Sequence, residues 1–213
     1  MMGERILSTP IELNEIIRVK VGDVLYVNGI IVTARDAAHK RIIRYCKEGK
    51  RLPLNLKGLV IMHAGPIVVH KEGQWVIKSI GPTSSYRMEP YMADVIKITG
   101  IRMIIGKGVM GRSTMEACRK YGAIYAIYPG GTAALATKCI VRVIDVKWLD
   151  LGIPEALWIL EVRMFGPLFV AIDAKGNNFF ERRLKRVENN LLTLQKELEL
   201  IPDTCSISEI IEC

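Results

Sequence analysis

Three short stretches of this sequence set a cation beside backbone that glycine or proline can turn. In VTARDAAHK, Arg35 and Asp36 stand just ahead of His39. In GPTSSYR (81–87), Gly81-Pro82 leads into three consecutive hydroxyls, Thr83, Ser84 and Ser85, and then Tyr86 and Arg87. In IIGKGVMG (104–111), Lys107 lies between two glycines. Arginine holds a carboxylate in a bidentate fork, and lysine adds a compact point charge. Backbone amides next to an ammonium hold anions at strand ends in α/β folds. Any one of these stretches is a weak signal. Together the three cations point to a pocket for a small molecule with two carboxylates.

Each stretch also has a plainer reading. Asp36 is a natural N-cap for the helix that follows it. Arg35 and His39 are four residues apart and face the same way if the helix has begun. Pro82 and Ser85 suffice for a polar turn ahead of a helix. The G-K-G loop lacks the length and the Ser/Thr of a P-loop, so nucleotide binding is not supported. YPGGTAALA (128–136) is a further glycine turn, but without charge it reads as packing. His63 in HAGP reads as a loop-structuring or interface residue, and His70 as a solvated strand residue.

The elements that must carry these stretches follow from periodicity. VKVGDVLYVNGIIVTARD (19–36) alternates apolar and polar residues, and Gly22-Asp23 and Asn28-Gly29 read as turns between strands. DAAHKRIIRYCKEGK (36–50) switches to helical period. Residues 56–82 read as three short strands, broken at Ala64-Gly65-Pro66 and Glu72-Gly73. Beyond GPTSSYR the spacing predicts a helix over 88–100, a strand over 101–106, a helix over 113–122, a strand over 123–129, a helix over 132–140 and a strand over 141–149. Two more strands, 155–164 and 166–173, precede a long helix over 177–200 with Leu184, Val187, Leu191, Leu194 and Leu198 at three- and four-residue spacing. Strand–helix alternation predicts an α/β fold with a parallel layer. The expected division is one domain over 1–180 and a C-terminal helical extension over 181–213.

Composition sets the outer limits. Half of the 213 residues are hydrophobic and 24% are charged, which is a globular chain with a substantial core. No apolar run approaches the roughly 18–20 residues needed to span a bilayer, and the charged N-terminus lacks a signal-peptide core. A cytoplasmic protein is expected. The five cysteines, Cys46, Cys118, Cys139, Cys205 and Cys213, are scattered without a C-x-x-C pair. They read as small hydrophobes, and any metal centre is expected not to be held by this chain alone. The net charge of +8 is dispersed, aromatics are 7%, and no nucleic-acid motif is present. That weighs against nucleic acid; an ordinary basic surface, a membrane surface and an anionic substrate all remain as readings of the charge.

VTARDAAHKRI, HAGPIV, SIGPTSSYRMEPY, IIGKGVMG, LGIPEALWILEV and GPLFVAIDAKGNNFF resemble, in order, blocks of the β subunit of two-subunit class I iron–sulfur hydro-lyases. That family includes class I fumarate hydratases and L-tartrate dehydratases. The resemblance implies a swivelling β/β/α fold, with mixed sheet layers and a helical layer. It also implies an α subunit carrying a [4Fe–4S] cluster with one open iron, a heteromeric assembly, and no cofactor bound by this chain. By motif, Arg35, Arg87 and Lys107 match substrate-binding positions, and Thr83 matches a threonine implicated in moving the C3 proton. Ser84 stands where many relatives have a second threonine, and Tyr86 where many have a small residue.

The implied reaction is reversible hydration of fumarate to (S)-malate, with tartrate dehydration as the alternative and a mesaconate-type substrate as a third. A threonine hydroxyl is a poor base unless neighbouring cations stabilise its anion, whereas a histidine with an ordinary pKa near 6.5 is a comfortable one. Thr83 and His39 are therefore both candidates for the proton. The reading from a different class is a non-catalytic anion-binding module.

Overall fold

A computed structural model describes residues 3–198. The chain divides into two compact units, Met1–Asn178 and Phe179–Cys213. The first unit runs β1 (Glu4–Ser8), α1 (Leu13–Ile16), β2 (Val24–Thr33), α2 (Asp36–Lys47), β3 (Val60–Met62), β4 (Ile67–Lys71), β5 (Gln74–Ser79), α3 (Glu89–Thr99), β6 (Met103–Gly106), α4 (Arg112–Tyr121), β7 (Ile124–Ile127), α5 (Ala133–Ala136), β8 (Ile140–Lys147) and β9 (Leu157–Ile172). The second unit contains α6 (Phe179–Glu197). Residues 199–200 of the long helical pattern, together with Cys205 and Cys213, lie outside the described residues.

The fold is α/β. Seven strands form one mixed sheet in the order β1-β2-β3-β6-β7-β9-β8, and β2 also pairs with β9. The second pairing closes β2, β3, β6, β7 and β9 into a ring. β2, β3, β6 and β7 run parallel to one another, and β9 is antiparallel to both β2 and β7. β4 and β5 form a separate hairpin, and Trp75 on β5 meets Trp158 on β9 edge to face, with centroids 5.3 Å apart.

The short parallel strands are apolar at nearly every position because both of their faces are covered. Val60, Met62, Met103, Ile105, Ile124 and Ala126 belong to the main core cluster, together with Leu160 and Val170 of β9. Ile61, Ile104 and Tyr125 form the alternate row, in register with one another and fully buried. The period-two alternation puts that row on the helical side, where α2 buries Ile42, α3 buries Met92, Val95 and Ile96, and α4 buries Ala117 and Cys118. Each such Ile, Val or Met contributes about 1.5–3 kcal/mol by leaving water. Pro90 in the first turn of α3 and left-handed Gly100 after its last residue fix both ends of that helix.

Three sequence expectations change. Asn28-Gly29 is not a turn. β2 runs through it as a bulge opposite β9, with Gly29 at φ 96 and the Asn28 Oδ1 accepting from the Met164 amide at 2.7 Å. Segments 155–164 and 166–173 are one strand, β9. A second bulge, between the Val27–Phe165 and Leu25–Leu168 pairs, accommodates Pro167, which has no amide to give to the ladder. Asp36 is the first residue of α2 rather than its N-cap. Arg35 holds the cap position in extended backbone and makes no side-chain cap.

Candidate functional site at the strand ends

The parallel order β2-β3-β6-β7 sets the carboxyl ends of four strands side by side, the edge at which open α/β sheets bind ligands. β2 delivers Arg35, β3 delivers His63, β6 delivers Lys107 and β7 leads into Gly130-Gly131. GPTSSYR threads among these ends in extended form. Pro82 bridges Ala64 antiparallel, and Ser84 bridges Lys107 parallel. The Thr83 amide donates to the His63 carbonyl at 2.7 Å, and the Ser85 amide donates to the Lys107 carbonyl at 2.9 Å. The stretch is therefore pinned into the sheet before its 3-10 turn over Ser85–Met88 begins.

Ser85 is fully buried at the centre of this joint. Its Oγ accepts from the Lys107 amide at 3.0 Å and lies 3.0 Å from His63 Nδ1. The first glycine of G-K-G exists for this contact, since a Cβ on Gly106 would stand 1.7 Å from Ser85 Oγ. The Lys107 amide is thus taken by Ser85 and is not offered to an anion, which corrects the reading of G-K-G as an exposed amide loop. What Lys107 presents is its exposed side chain, whose Cδ lies 3.3 Å from a Cβ built on Gly130. The YPGG turn makes room for the lysine stem.

Both arginines are steered by carboxylates. Arg87 donates through Nη2 to Asp36 Oδ2. Arg35 Nε lies 3.3 Å from Glu155 Oε1, an ion pair by distance that is not aligned as a hydrogen bond. The other Glu155 oxygen accepts from the Ala37 amide at 2.8 Å, so Glu155 supplies from across the chain the cap that α2 lacks. Glu89 does the same for α4, accepting from the Gly111 and Thr114 amides at 2.7 and 3.1 Å. Carboxylates borrowed from other segments thus hold both helix starts.

The two candidates for handling a proton differ in access. Thr83 is half-buried at the strand ends. His39 is completely enclosed, and neither ring nitrogen has a hydrogen-bond partner. Burial pushes its imidazole down to about 4, against a smaller opposing pull from Asp36. His63 is also sealed and held neutral, first by burial and then by His39, whose ring centroid is 5.2 Å away.

The strand ends and the GPTSSYR loop thus carry Arg35, Thr83, Arg87 and Lys107, while His39 lies beneath them in the helical layer. Sequence reasoning passed over Ser85 as a turn residue, and it passed over Glu155 altogether. A signal existed for each: a serine three residues after a turn proline, with a glycine closing the next parallel strand, and a lone carboxylate directly ahead of the apolar run ALWIL. Among the described residues no three His, Cys, Asp or Glu side chains converge as a metal site, and burial holds the Cys118 thiol protonated. The described residues do not fit a cluster of their own.

Comparison with known proteins gives the family. Residues 4–183 match the family described as Fumarase C-terminus. The chain is 40% identical over 203 residues to L(+)-tartrate dehydratase subunit beta of Escherichia coli (strain K12), covering 95% of this chain and 96% of that one. It is 46% identical over 175 residues to a Methanocaldococcus jannaschii protein provisionally named L(+)-tartrate dehydratase subunit beta, covering 82% and 90%. A Geobacillus stearothermophilus protein provisionally named fumarate hydratase class I is 42% identical over 176 residues, which are 82% of this chain and 33% of that protein. With most of its length matched by the family and by these relatives, the chain belongs to the fumarase C-terminus family.

Proposed function

We propose that this chain is the β subunit of a two-subunit hydro-lyase that hydrates fumarate reversibly to (S)-malate. It works with an α subunit that holds a [4Fe–4S] cluster. The observation that carries the reading is the set of three cations, Arg35, Arg87 and Lys107, at the strand ends with the Thr83 hydroxyl on the same loop as Arg87. The beta-subunit names of two relatives support a partner chain. No helix among the described residues is long and apolar enough to cross a membrane, which fits a cytoplasmic setting.

When bound, such a cluster supplies a Lewis-acid iron for the C2 hydroxyl. The rest of the work falls to this chain. Arg35 and Arg87 fork the substrate carboxylates, with their planes set by Glu155 and Asp36. Lys107 stabilises the negative charge that grows as the C3 proton leaves. Thr83 takes that proton, as a half-buried hydroxyl on the loop that also carries Arg87, and the cations of the site stabilise its alkoxide. His39 shapes the floor of the site and does not meet substrate.

L-tartrate dehydration is the second reading, favoured by the names of the E. coli and M. jannaschii relatives. The deciding experiment is co-expression with an iron–sulfur α partner, followed by anaerobic assays on fumarate, malate, tartrate and mesaconate. Turnover of fumarate with kcat/KM at least tenfold above that of tartrate supports the first reading, and the reverse order selects the second. Silence on all four substrates leaves an anion-binding module.

A further inference from the structure

We infer that Ser85 is the positioning residue of this site, a buried hydroxyl that locks Lys107 and Thr83 into one geometry through His63. The inference rests on the hydro-lyase reading for its kinetic consequence and on the fold alone for its geometry.

The two rings of contact meet at one oxygen. Lys107 is bound on both sides of its backbone, with its amide donating to Ser85 Oγ and its carbonyl accepting from the Ser85 amide. Thr83 is bound through His63, whose carbonyl accepts the Thr83 amide and whose amide donates to the Ile105 carbonyl at 2.8 Å. The imidazole of His63 closes the gap between these pairs. Its Nε2 lies 3.3 Å from Met92 Sδ, which can only accept, and this contact favours the tautomer with the ring proton on Nε2. Nδ1 is then the acceptor for the Ser85 hydroxyl proton, while the same oxygen receives the Lys107 amide. Each member has a partner, and Ser85 and His63 at the centre are fully enclosed.

Three further features fit a joint selected for position. Gly106 leaves room for Ser85 Oγ, since a Cβ there would stand 1.7 Å from it. Tyr125, packed beneath it, donates to the Gly108 carbonyl at 2.9 Å and fixes the far side of the lysine loop. Neutral His63 carries no charge that would compete with Lys107 for an anion. Removing the hydroxyl leaves a buried amide and a buried imidazole nitrogen without partners, and the lysine loop is free to relax. A misplacement of about 1 Å at such a point costs on the order of 100-fold in rate.

The test is a double-mutant cycle in the heteromer with its iron–sulfur α partner. Ser85→Ala is expected to lower kcat/KM about 10- to 100-fold, and Ser85→Cys, which keeps a weak donor, to recover part of that loss. In the Lys107→Ala background Ser85→Ala should cost less than about twofold further, because its effect passes through the lysine. Losses that multiply, or wild-type rates for Ser85→Ala, overturn the inference. A second arm needs no turnover: in the 15N-labelled full chain, with only three histidines, Ser85→Ala must shift His63 Nδ1 and the Lys107 amide. Unshifted resonances overturn the inference even in an active enzyme. An inactive wild-type heteromer with shifted resonances sinks the hydro-lyase reading and upholds the joint.

Discussion

The Asp36 carboxylate accepts a hydrogen bond from Arg87, a partner 51 residues away in the chain. This pair ties the start of α2 to the turn that precedes α3, and so ties two of the three cation-bearing stretches together. Arg87 is half exposed and Asp36 about a quarter exposed. A pair so open to water adds about 0–1 kcal/mol to stability. Its consequence is orientation, since the carboxylate occupies one edge of the guanidinium and leaves the other for a ligand.

Arg87→Ala is accordingly expected to reduce kcat/KM by at least about 100-fold while the thermal midpoint stays within a few degrees of wild type. Asp36→Asn keeps Arg87 and loses its steering. A rise in KM of about tenfold with little change in kcat is the expected result, and an unchanged KM would show that Asp36 does not steer the arginine.

Lys107 has an exposed side chain on a loop held by its backbone. Lys107→Ala should leave stability within about 0.5 kcal/mol of wild type and lower kcat/KM by about 100- to 1,000-fold, to a residual rate that is still measurable. Steady-state kinetics and urea unfolding on the same preparation check both halves. Retained kcat/KM would remove Lys107 from the site.

Thr83 and His39 are separated by an isotope experiment. Thr83→Val should abolish exchange of the C3 proton with solvent deuterium. His39→Asn should retain exchange, because the enclosed imidazole does not meet substrate. The opposite pattern would assign the proton to His39.

Glu155 caps α2 and faces Arg35 with its two oxygens. Glu155→Ala should cost about 1 kcal/mol through the lost cap and raise KM as Arg35 loses its guide. Glu155→Gln keeps an acceptor for the Ala37 amide and should cost less stability than Glu155→Ala, with a similar rise in KM. Equal loss of stability in the two variants would argue against the capping role.

Stability should fall as pH drops from 6.5 toward 4. Burial lowers His39 from 6.5 to about 4, so the unfolded chain takes up this proton well before the folded one does. The contribution is complete above pH 6.5 and is lost through this window, by about 3 kcal/mol at about 1.4 kcal/mol per pH unit. His63 acts in the same direction. Urea unfolding at several pH values should show the slope, and His39→Gln should flatten it.

Local physics made much of the fold legible. The helices over 36–47, 89–99 and 112–121 follow from their periodicity, and the last two end where a glycine enters the left-handed region. The hairpin at Glu72-Gly73 follows from its turn residues. What failed were dipeptides with two uses. Asn28-Gly29 and Gly166-Pro167 serve turns in isolated hairpins, but here they lie within long strands as bulges. Only the partner strand distinguishes the two cases.

The sequence by itself determined the chemical types at the site, because residue type alone fixes which side chains are cationic, hydroxylic or glycine-flexible. It also determined the parallel strand–helix order that brings strand ends together. Tertiary structure decided which of those groups reach solvent and which lock the others in place. His39 looks like a base in the sequence and is sealed in the helical layer, since its helix turns it toward α3 and the sheet. Ser85 looks like a turn residue and becomes the hub of the lysine loop, since Gly106 lies against it across the sheet. Burial and hydrogen-bond partnership depend on residues far apart in the chain, and only the folded packing brings those residues together.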